Sequence, residues 1–361
     1  MKRDDFIDSS QRPPRIERIL VRGTNWIGDA VMSTPALQRL RASFPAARIS
    51  LLATPLTCEL FASSDRSPID QIIPYDRKAK GWRALWQTIP VLRRERFDLA
   101  ILFQNAFEAA LLTTLAGIPR RVGFATQGRS RLLTHRLQRV PEHRDRHQIN
   151  DYLDLVAACE SNFLRRDFEP ALASPLPGLT ARPRDLAAAE LLLGGNSKGR
   201  LIALNVGATN SRAKCWPAEQ FAALADRLTA VTGGTIILIG GPGEVNAANE
   251  VATRIRGQNL INLAGRTTLG ELLGLLSLCA LVVTNDTGPA HIAAALGRPV
   301  LTLFGPTNEF ETAPTGPHAS LIRADQIECA RCMYRDCPID HRCMTRLSVD
   351  AVYNSALGLM A

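Results

Sequence analysis

Three stretches of this chain place acids, hydroxyls, a lysine and glycines where a strand pattern gives way to a helix pattern. In "TNDTGPAHIAAALGRPVLTLFGPT", Thr284 to Thr307, an apolar run ends. Asp286, Thr287, Gly288 and Pro289 follow, and a helix pattern begins at Ala290. The first N–H groups of a helix lack intrahelical partners and carry about half a positive charge. Asp286 or Thr287 can cap that start, Gly288 lets a ligand approach the backbone, and Pro289 suits the first helical position. The arrangement suits a phosphate. The same residues are also ordinary helix punctuation, and on this stretch alone both readings stand.

The stretch "VRGTNWIGDAVMSTPAL", Val21 to Leu37, puts Asp29 in a first helical turn, as a helix-start acid or as an acid or base in a cleft. In "NVGATNSRAKCWPAEQF", Asn205 to Phe221, Lys214 can set a point charge on a phosphate. Two phosphate-suited loops in one half of the chain suggest a diphosphate. Neither glycine cluster, at Gly23–Gly28 or in "IGGPGE" (Ile239–Glu244), matches the G-x-G-x-x-G dinucleotide fingerprint.

The elements that must position these residues alternate. Strand patterns at Ile16–Val21, Ile49–Ala53, Gln71–Pro74, Leu99–Phe103 and Val122–Phe124 are separated by helical ones such as Ala30–Ser43 and Ala106–Ala116. The proline-rich stretch Asp167–Pro183 reads as a linker. The alternation then restarts, with strands at Leu201–Asn205, Thr235–Ile239, Leu260–Leu263, Ala280–Thr284 and Val300–Phe304 and helices at Ala218–Val231, Glu244–Arg256, Leu269–Leu278 and Ala290–Leu296. This predicts an α/β protein of two doubly wound, Rossmann-like domains facing across a cleft, residues 1–177 and 178–361, with ligands beyond the carboxyl ends of the strands.

Charge is uneven. Residues 1–177 carry 27 basic against 19 acidic side chains, and residues 178–361 carry 16 against 15. Eight arginines crowd Arg120 to Arg146, with Glu142 and Asp145 the acids between them. Such a patch suits an anionic partner or a solvated basic loop. In Lys78–Arg94, Trp82, Leu85, Trp86 and Ile89 recur at helical spacing among basic residues. This stripe suits a helix packed on a sheet or one lying in a membrane interface. No run is long enough to span a membrane and the first residues lack a signal-peptide core, so the expected location is the cytoplasm.

Four of the eight cysteines, Cys329, Cys332, Cys337 and Cys343, fall in "CARCMYRDCPIDHRC" with His341 beside them. The cluster suits a structural zinc loop, reduced thiols or a labile redox pair.

On "ILVRGTNWIGDAVMSTPAL", "GATNSRAKCWP" and "TNDTGPAHIAAALGRPVLTLFGPT", the chain resembles the ADP-heptose:lipopolysaccharide heptosyltransferases, from Ile19 to about Leu347. Among them it looks most like the type II enzymes. The resemblance implies the GT-B fold and an inverting transfer of heptose from ADP-heptose to the lipopolysaccharide inner core. It implies an N-terminal acceptor domain, a C-terminal nucleotide-sugar domain, and a seat at the inner face of the inner membrane. It makes Asp29 the general base and Lys214 the partner of the donor diphosphate. Asp286, Thr287 and Gly288 become the tip holding phosphates and heptose, Thr209 and His291 line the donor site, and Glu244 contacts the ribose. Arg120, Arg121, Arg129 and Arg131 become candidates for the anionic acceptor. Catalysis then requires no cofactor, since a lysine and a helix dipole neutralise the leaving group. Of two readings from other classes, a nucleotide-cofactor oxidoreductase fits the two halves but lacks its glycine fingerprint, and a non-catalytic anion- or nucleic-acid-binding protein leaves the Asp29 and Lys214 loops unexplained; nucleic acid is not an expected partner.

Overall fold

The computed structural model describes residues 14–65, 67–139, 146–169, 175–195, 199–209 and 211–360. Of the arginine-rich segment, Glu142, Arg144 and Asp145 lie outside these, as do residues 170–174 of the proline-rich stretch. The described residues form two six-stranded sheets. The first holds β1 (Arg18–Arg22), β2 (Arg48–Ala53), β3 (Gln71–Pro74), β4 (Leu99–Leu102), β5 (Arg120–Phe124) and β6 (His135–Leu137), in the order β3-β2-β1-β4-β5-β6. The second holds β7 (Leu201–Asn205), β8 (Thr235–Ile239), β9 (Leu260–Asn262), β10 (Leu281–Asn285), β11 (Val300–Phe304) and β12 (Ala319–Arg323), in the order β12-β11-β10-β7-β8-β9. Every strand pair is parallel.

The composition of the central strands explains why. "TIILI", "LVVTN" and "VLTLF" are buried along their whole length. A strand that hides both faces must be covered by helices on both sides, which is what parallel sheets require. Each sheet reverses its winding between its first and fourth strands, β1/β4 and β7/β10. The crevice outside the carboxyl ends at such a point is where open α/β sheets bind ligands. Two of the four edge strands, β6, "HRL", and β12, "ASLIR", escape the sequence reading, because short, partly exposed strands broken by polar residues carry no long apolar run.

The helical pattern Ala30–Ser43 is in fact two helices, Ile27–Met32 and Thr34–Ser43. Pro35 has no N–H to bond the preceding turn, so the first helix ends at Met32, and Ser33 turns its hydroxyl onto the Ala30 carbonyl, 2.7 Å away. This leaves Asp29 on a short, separately aimed helix. The basic stretch divides too. A single turn, Arg77–Lys80, stops at Gly81 (φ +55°, ψ −145°), a conformation open only to glycine, and Trp82–Glu95 follows. Leu85 and Ile89 are buried against the first sheet, but Trp82 and Trp86 are 62% and 65% exposed. The stripe read as one face is two.

The halves touch along an apolar seam. One continuous cluster runs from Ile19 and Leu37 of the first half to Leu273 and Ile292 of the second. The helix Pro183–Leu193 lies against Leu269–Leu278 so closely that a Cβ on Gly274 would collide with the backbone carbonyl of Asp185. Alanine in a helix is ordinarily better than glycine by about 1 kcal/mol. Here overpacking against backbone, which costs about 1–3 kcal/mol, decides the sign. Gly274→Ala is expected to lower the melting temperature; an unchanged or raised value in calorimetry would show that this packing yields.

Candidate functional site

The loops after β1, β7 and β10 meet at the two switch points. Trp26 caps the Ile27–Met32 helix through its extended backbone, and Asp29 sits in the first turn. Across the seam, Thr287 is the N-cap of Gly288–Ala295. These two helix tips face each other closely. A Cβ on Gly28 would lie 2.8 Å from His291 Cδ2, and one on Gly288 would lie 3.0 Å from Ile27 Cβ. Glycine at both positions lets the two tips approach.

Thr287 makes no side-chain cap, and the Asp286 carboxylate turns away from the helix. Its Oδ2 accepts from Lys214 Nζ at 3.0 Å and from Thr307 Oγ1 at 2.7 Å, and Lys214 Nζ also donates to the Asp286 carbonyl at 3.1 Å. Pro289 has no N–H and Ala290 N bonds the Thr287 carbonyl at 3.1 Å, so the leading N–H that the tip offers a ligand is that of Gly288. Asp286 is only 4% exposed, so its charge is held by that lysine and hydroxyl. Glu244 sits beside the same loop. Its Oε2 accepts from Gly241 N at 2.7 Å and its Oε1 from Thr209 Oγ1 at 3.4 Å. A Cβ on Gly207 would meet Glu244 Cγ at 2.6 Å, so the glycine keeps the acid against the loop.

Burial sets the protonation of the facing groups. It pushes the Asp29 carboxyl up to about 6, with the Lys214 charge opposing. It pulls His291 down to about 4, with Asp286 opposing, so the imidazole is neutral at pH 7. A carboxylate with a pKa just below neutrality can take a proton from a hydroxyl and still be ionised at pH 7. Lys214 and the free helix tip can hold a diphosphate.

The sequence profile of glycosyltransferase family 9 (heptosyltransferase) matches residues 82–342. The chain belongs to this family. This family 9 glycosyltransferase is 30% identical over 322 residues to lipopolysaccharide heptosyltransferase 2 of Salmonella typhimurium, covering 85% of this chain and 88% of that one. It is 27% identical over 347 residues to lipooligosaccharide heptosyltransferase 2 of Campylobacter jejuni, covering 93% and 96%. The solved structure of E. coli ADP-heptose lipopolysaccharide heptosyltransferase II superposes with a TM-score of 0.80 at 26% identity, over 95% of this chain and 98% of that one. The two-sheet GT-B architecture expected from the sequence is thus that of the family.

Asp29, Lys214, Asp286, Thr287, Gly288 and His291 come together at the facing tips, with Thr209 and Glu244 one loop away. The arginines do not join them. Arg129 is 0% exposed and donates to the carbonyls of Phe124 (2.8 Å) and Gln104 (2.5 Å) and to Asn105 Oδ1 (2.6 Å), so its guanidinium ties loops of its own domain together. Arg121 bonds the carbonyls of Leu132 and Ile118. Arg120 and Arg121 also open β5, at the amino edge of the first sheet, a strand length from the edge that carries Asp29. That geometry sets Arg120, Arg121 and Arg129 apart from the facing tips, while Arg131 is exposed in the turn after Arg129.

The zinc loop is not supported either. Among the described residues no group of three or more His, Cys, Asp or Glu is arranged to hold a metal ion. Burial, with the neighbouring cysteines, pushes the Cys343 thiol up to about 11. The loop has another role. Arg335 O accepts from Ala213 N at 2.9 Å, His341 Nε2 donates to Ala213 O at 2.7 Å, and Asp336 pairs with Arg212 at 2.9 Å. It braces the turn that carries Lys214.

Sequence reasoning passed over two asparagines. Asn285 accepts from Trp216 N at 3.0 Å and donates to the carbonyls of Val206 (2.9 Å) and Gly207 (3.1 Å), pinning both ends of the Lys214 loop to β10. Asn205 Nδ2 donates to Thr287 Oγ1 at 2.8 Å, tying β7 to the helix tip. Both stand in quoted motifs. An asparagine ending a buried strand was the available signal, since a buried amide must be bonded.

Proposed function

We infer that this glycosyltransferase moves heptose from ADP-heptose to the inner core of lipopolysaccharide by an inverting displacement. What carries the reading is the convergence of Asp29 from the first half with Lys214 and the Asp286–Gly288 tip from the second, at the switch points of both sheets. The names of its relatives supply the sugar and the acceptor. In this reading residues 1–177 hold the acceptor and residues 178–361 the nucleotide-sugar. An acceptor hydroxyl gives its proton to the Asp29 carboxylate and attacks the anomeric carbon from the face opposite the phosphate. The bond from that carbon to the diphosphate oxygen breaks, and ADP leaves with the added charge. Lys214 and the Gly288 N–H face that charge before the reaction begins, so stabilising it needs no reorganisation. No cofactor takes part. Glu244 and Thr209 hold the ribose side of the donor, and His291, neutral, offers a hydrogen bond to the sugar.

Among the described residues no helix is long and apolar enough to cross a membrane. The acceptor is lipid-anchored, so the working location proposed is the cytoplasmic face of the inner membrane, as a peripheral protein. Purified protein incubated with ADP-heptose and a heptose-deficient core acceptor is expected to yield a product one heptose heavier by mass spectrometry. Absence of that product, with ADP-heptose intact, would refute the donor or the acceptor.

A further inference from the structure

The helix Trp82–Glu95 covers the first sheet with Ala84, Leu85, Thr88, Ile89 and Leu92, yet it leaves two tryptophans in water. Exposing two such rings one turn apart has a cost, and soluble surfaces seldom do it without a use. The rings are not alone. The turns that follow β2, β3 and β4 each show one large apolar side chain: Leu56 (51% exposed), Trp82 and Phe107 (47%). All three stand at the carboxyl edge of the first sheet, the edge that also carries Asp29. Arg77 ties the row together, its guanidinium 4.3 Å over the Trp82 ring and 2.9 Å from Glu108, the residue after Phe107. On the helix, Arg83 is exposed next to Trp82 and Arg94 is exposed two turns beyond Trp86, and the half that carries the helix has 27 basic against 19 acidic side chains.

We propose that the exposed Trp82–Trp86 face of this helix, with Phe107 beside it, seats on an anionic phospholipid surface and turns the acceptor edge of the domain toward the bilayer. Indole rings settle at the boundary between hydrocarbon and headgroups because one end is apolar and the other donates a hydrogen bond. Flanking arginines match the negative headgroups and add an electrostatic attraction that salt weakens. The buried stripe keeps the helix on the sheet while its outer face binds, so the whole domain docks rigidly. This rests on the reading above only for the reason to dock: a lipid-anchored acceptor presents its sugars at that surface, on the side where Asp29 opens.

The test needs no sugar donor. Full-chain protein is sedimented with vesicles of phosphatidylcholine alone and of phosphatidylcholine with phosphatidylglycerol. The parent is expected to follow the anionic vesicles and release at high salt. The W82S/W86S variant is expected to partition about tenfold more weakly, the effect of losing one large buried apolar side chain or more. Its melting temperature should stay near the parent's, because the buried stripe is untouched. A second variant, R83Q/R94Q, leaves every apolar contact in place and is expected to lose the salt dependence. Transfer to a soluble core oligosaccharide should be unchanged in W82S/W86S, while transfer to acceptor embedded in vesicles falls in step with partition. Failure of the parent to bind anionic vesicles overturns the proposal. So does a folded W82S/W86S variant that binds like the parent, or a dimer of the parent that this variant abolishes. A protein that binds vesicles but transfers no heptose supports docking and refutes the heptose reading instead.

Discussion

Replacing Asp29 by Asn is expected to leave fold and ADP affinity intact while cutting kcat by about a hundredfold to ten-thousandfold, the range of a positioned general base. The amide keeps the size of the side chain and its place in the Ile27–Met32 helix, so packing against the facing tip is preserved. It cannot take the hydroxyl proton. The parent's pH profile carries the same information. A base works only when ionised, and burial holds the Asp29 carboxyl near about 6. kcat/KM should therefore fall as pH drops below about 6 and level off above it. A carboxyl at the ordinary value, 3.8, would place the limb two units lower. The residual activity of Asp29→Asn should lack that limb. Turnover near the parent's at saturating acceptor, or an unshifted limb in the variant, would remove Asp29 from the chemistry.

Lys214→Ala is expected to weaken ADP-heptose binding and slow transfer together. Removing one preorganised donor from a developing oxyanion costs about 3 kcal/mol, roughly a hundredfold in rate. Two further consequences separate this role from a merely structural one. The Lys214 charge holds the Asp29 carboxyl down against burial, so its loss should move the acid limb to higher pH. It also leaves Asp286, buried at the tip, with Thr307 as its remaining side-chain partner. The uncompensated carboxylate should repel the diphosphate as well as forgo its attraction. Lys214→Arg restores a charge but not the compact ammonium that reaches the Asp286 carbonyl and Oδ2 together, so rescue should be partial. Unchanged ADP affinity in Lys214→Ala, by calorimetry, would place the diphosphate elsewhere.

Much of this site was legible because its parts are local. Asp29, Lys214 and Asp286 each end a strand and begin a turn or helix, and a buried parallel strand announces itself by an unbroken apolar run such as "VLTLF". The arginine cluster was less legible because sequence shows charge but not direction. Arg129 looks like its neighbours in a row, yet it points inward to carbonyls that only the fold supplies. The tryptophans of the basic helix misled in the opposite sense. Trp82 and Trp86 share the helical spacing of Leu85 and Ile89, but a helix offers one stripe to the sheet, and which residues fill it depends on how the helix lies.

The sequence by itself determined the α/β alternation, the strands that form the two switch points, and the presence at their ends of residue types suited to a diphosphate and a hydroxyl proton. These follow from periodicity, caps and charge, which act over a few residues. The tertiary structure decided that the Lys214 loop reaches Asp286, that the cysteine loop braces it, and that Gly28 and Gly288 let two helix tips from opposite halves approach. It also decided that burial raises the Asp29 carboxyl to about 6. Each depends on which distant surfaces exclude water from one another, and that burial is a property of the folded chain as a whole.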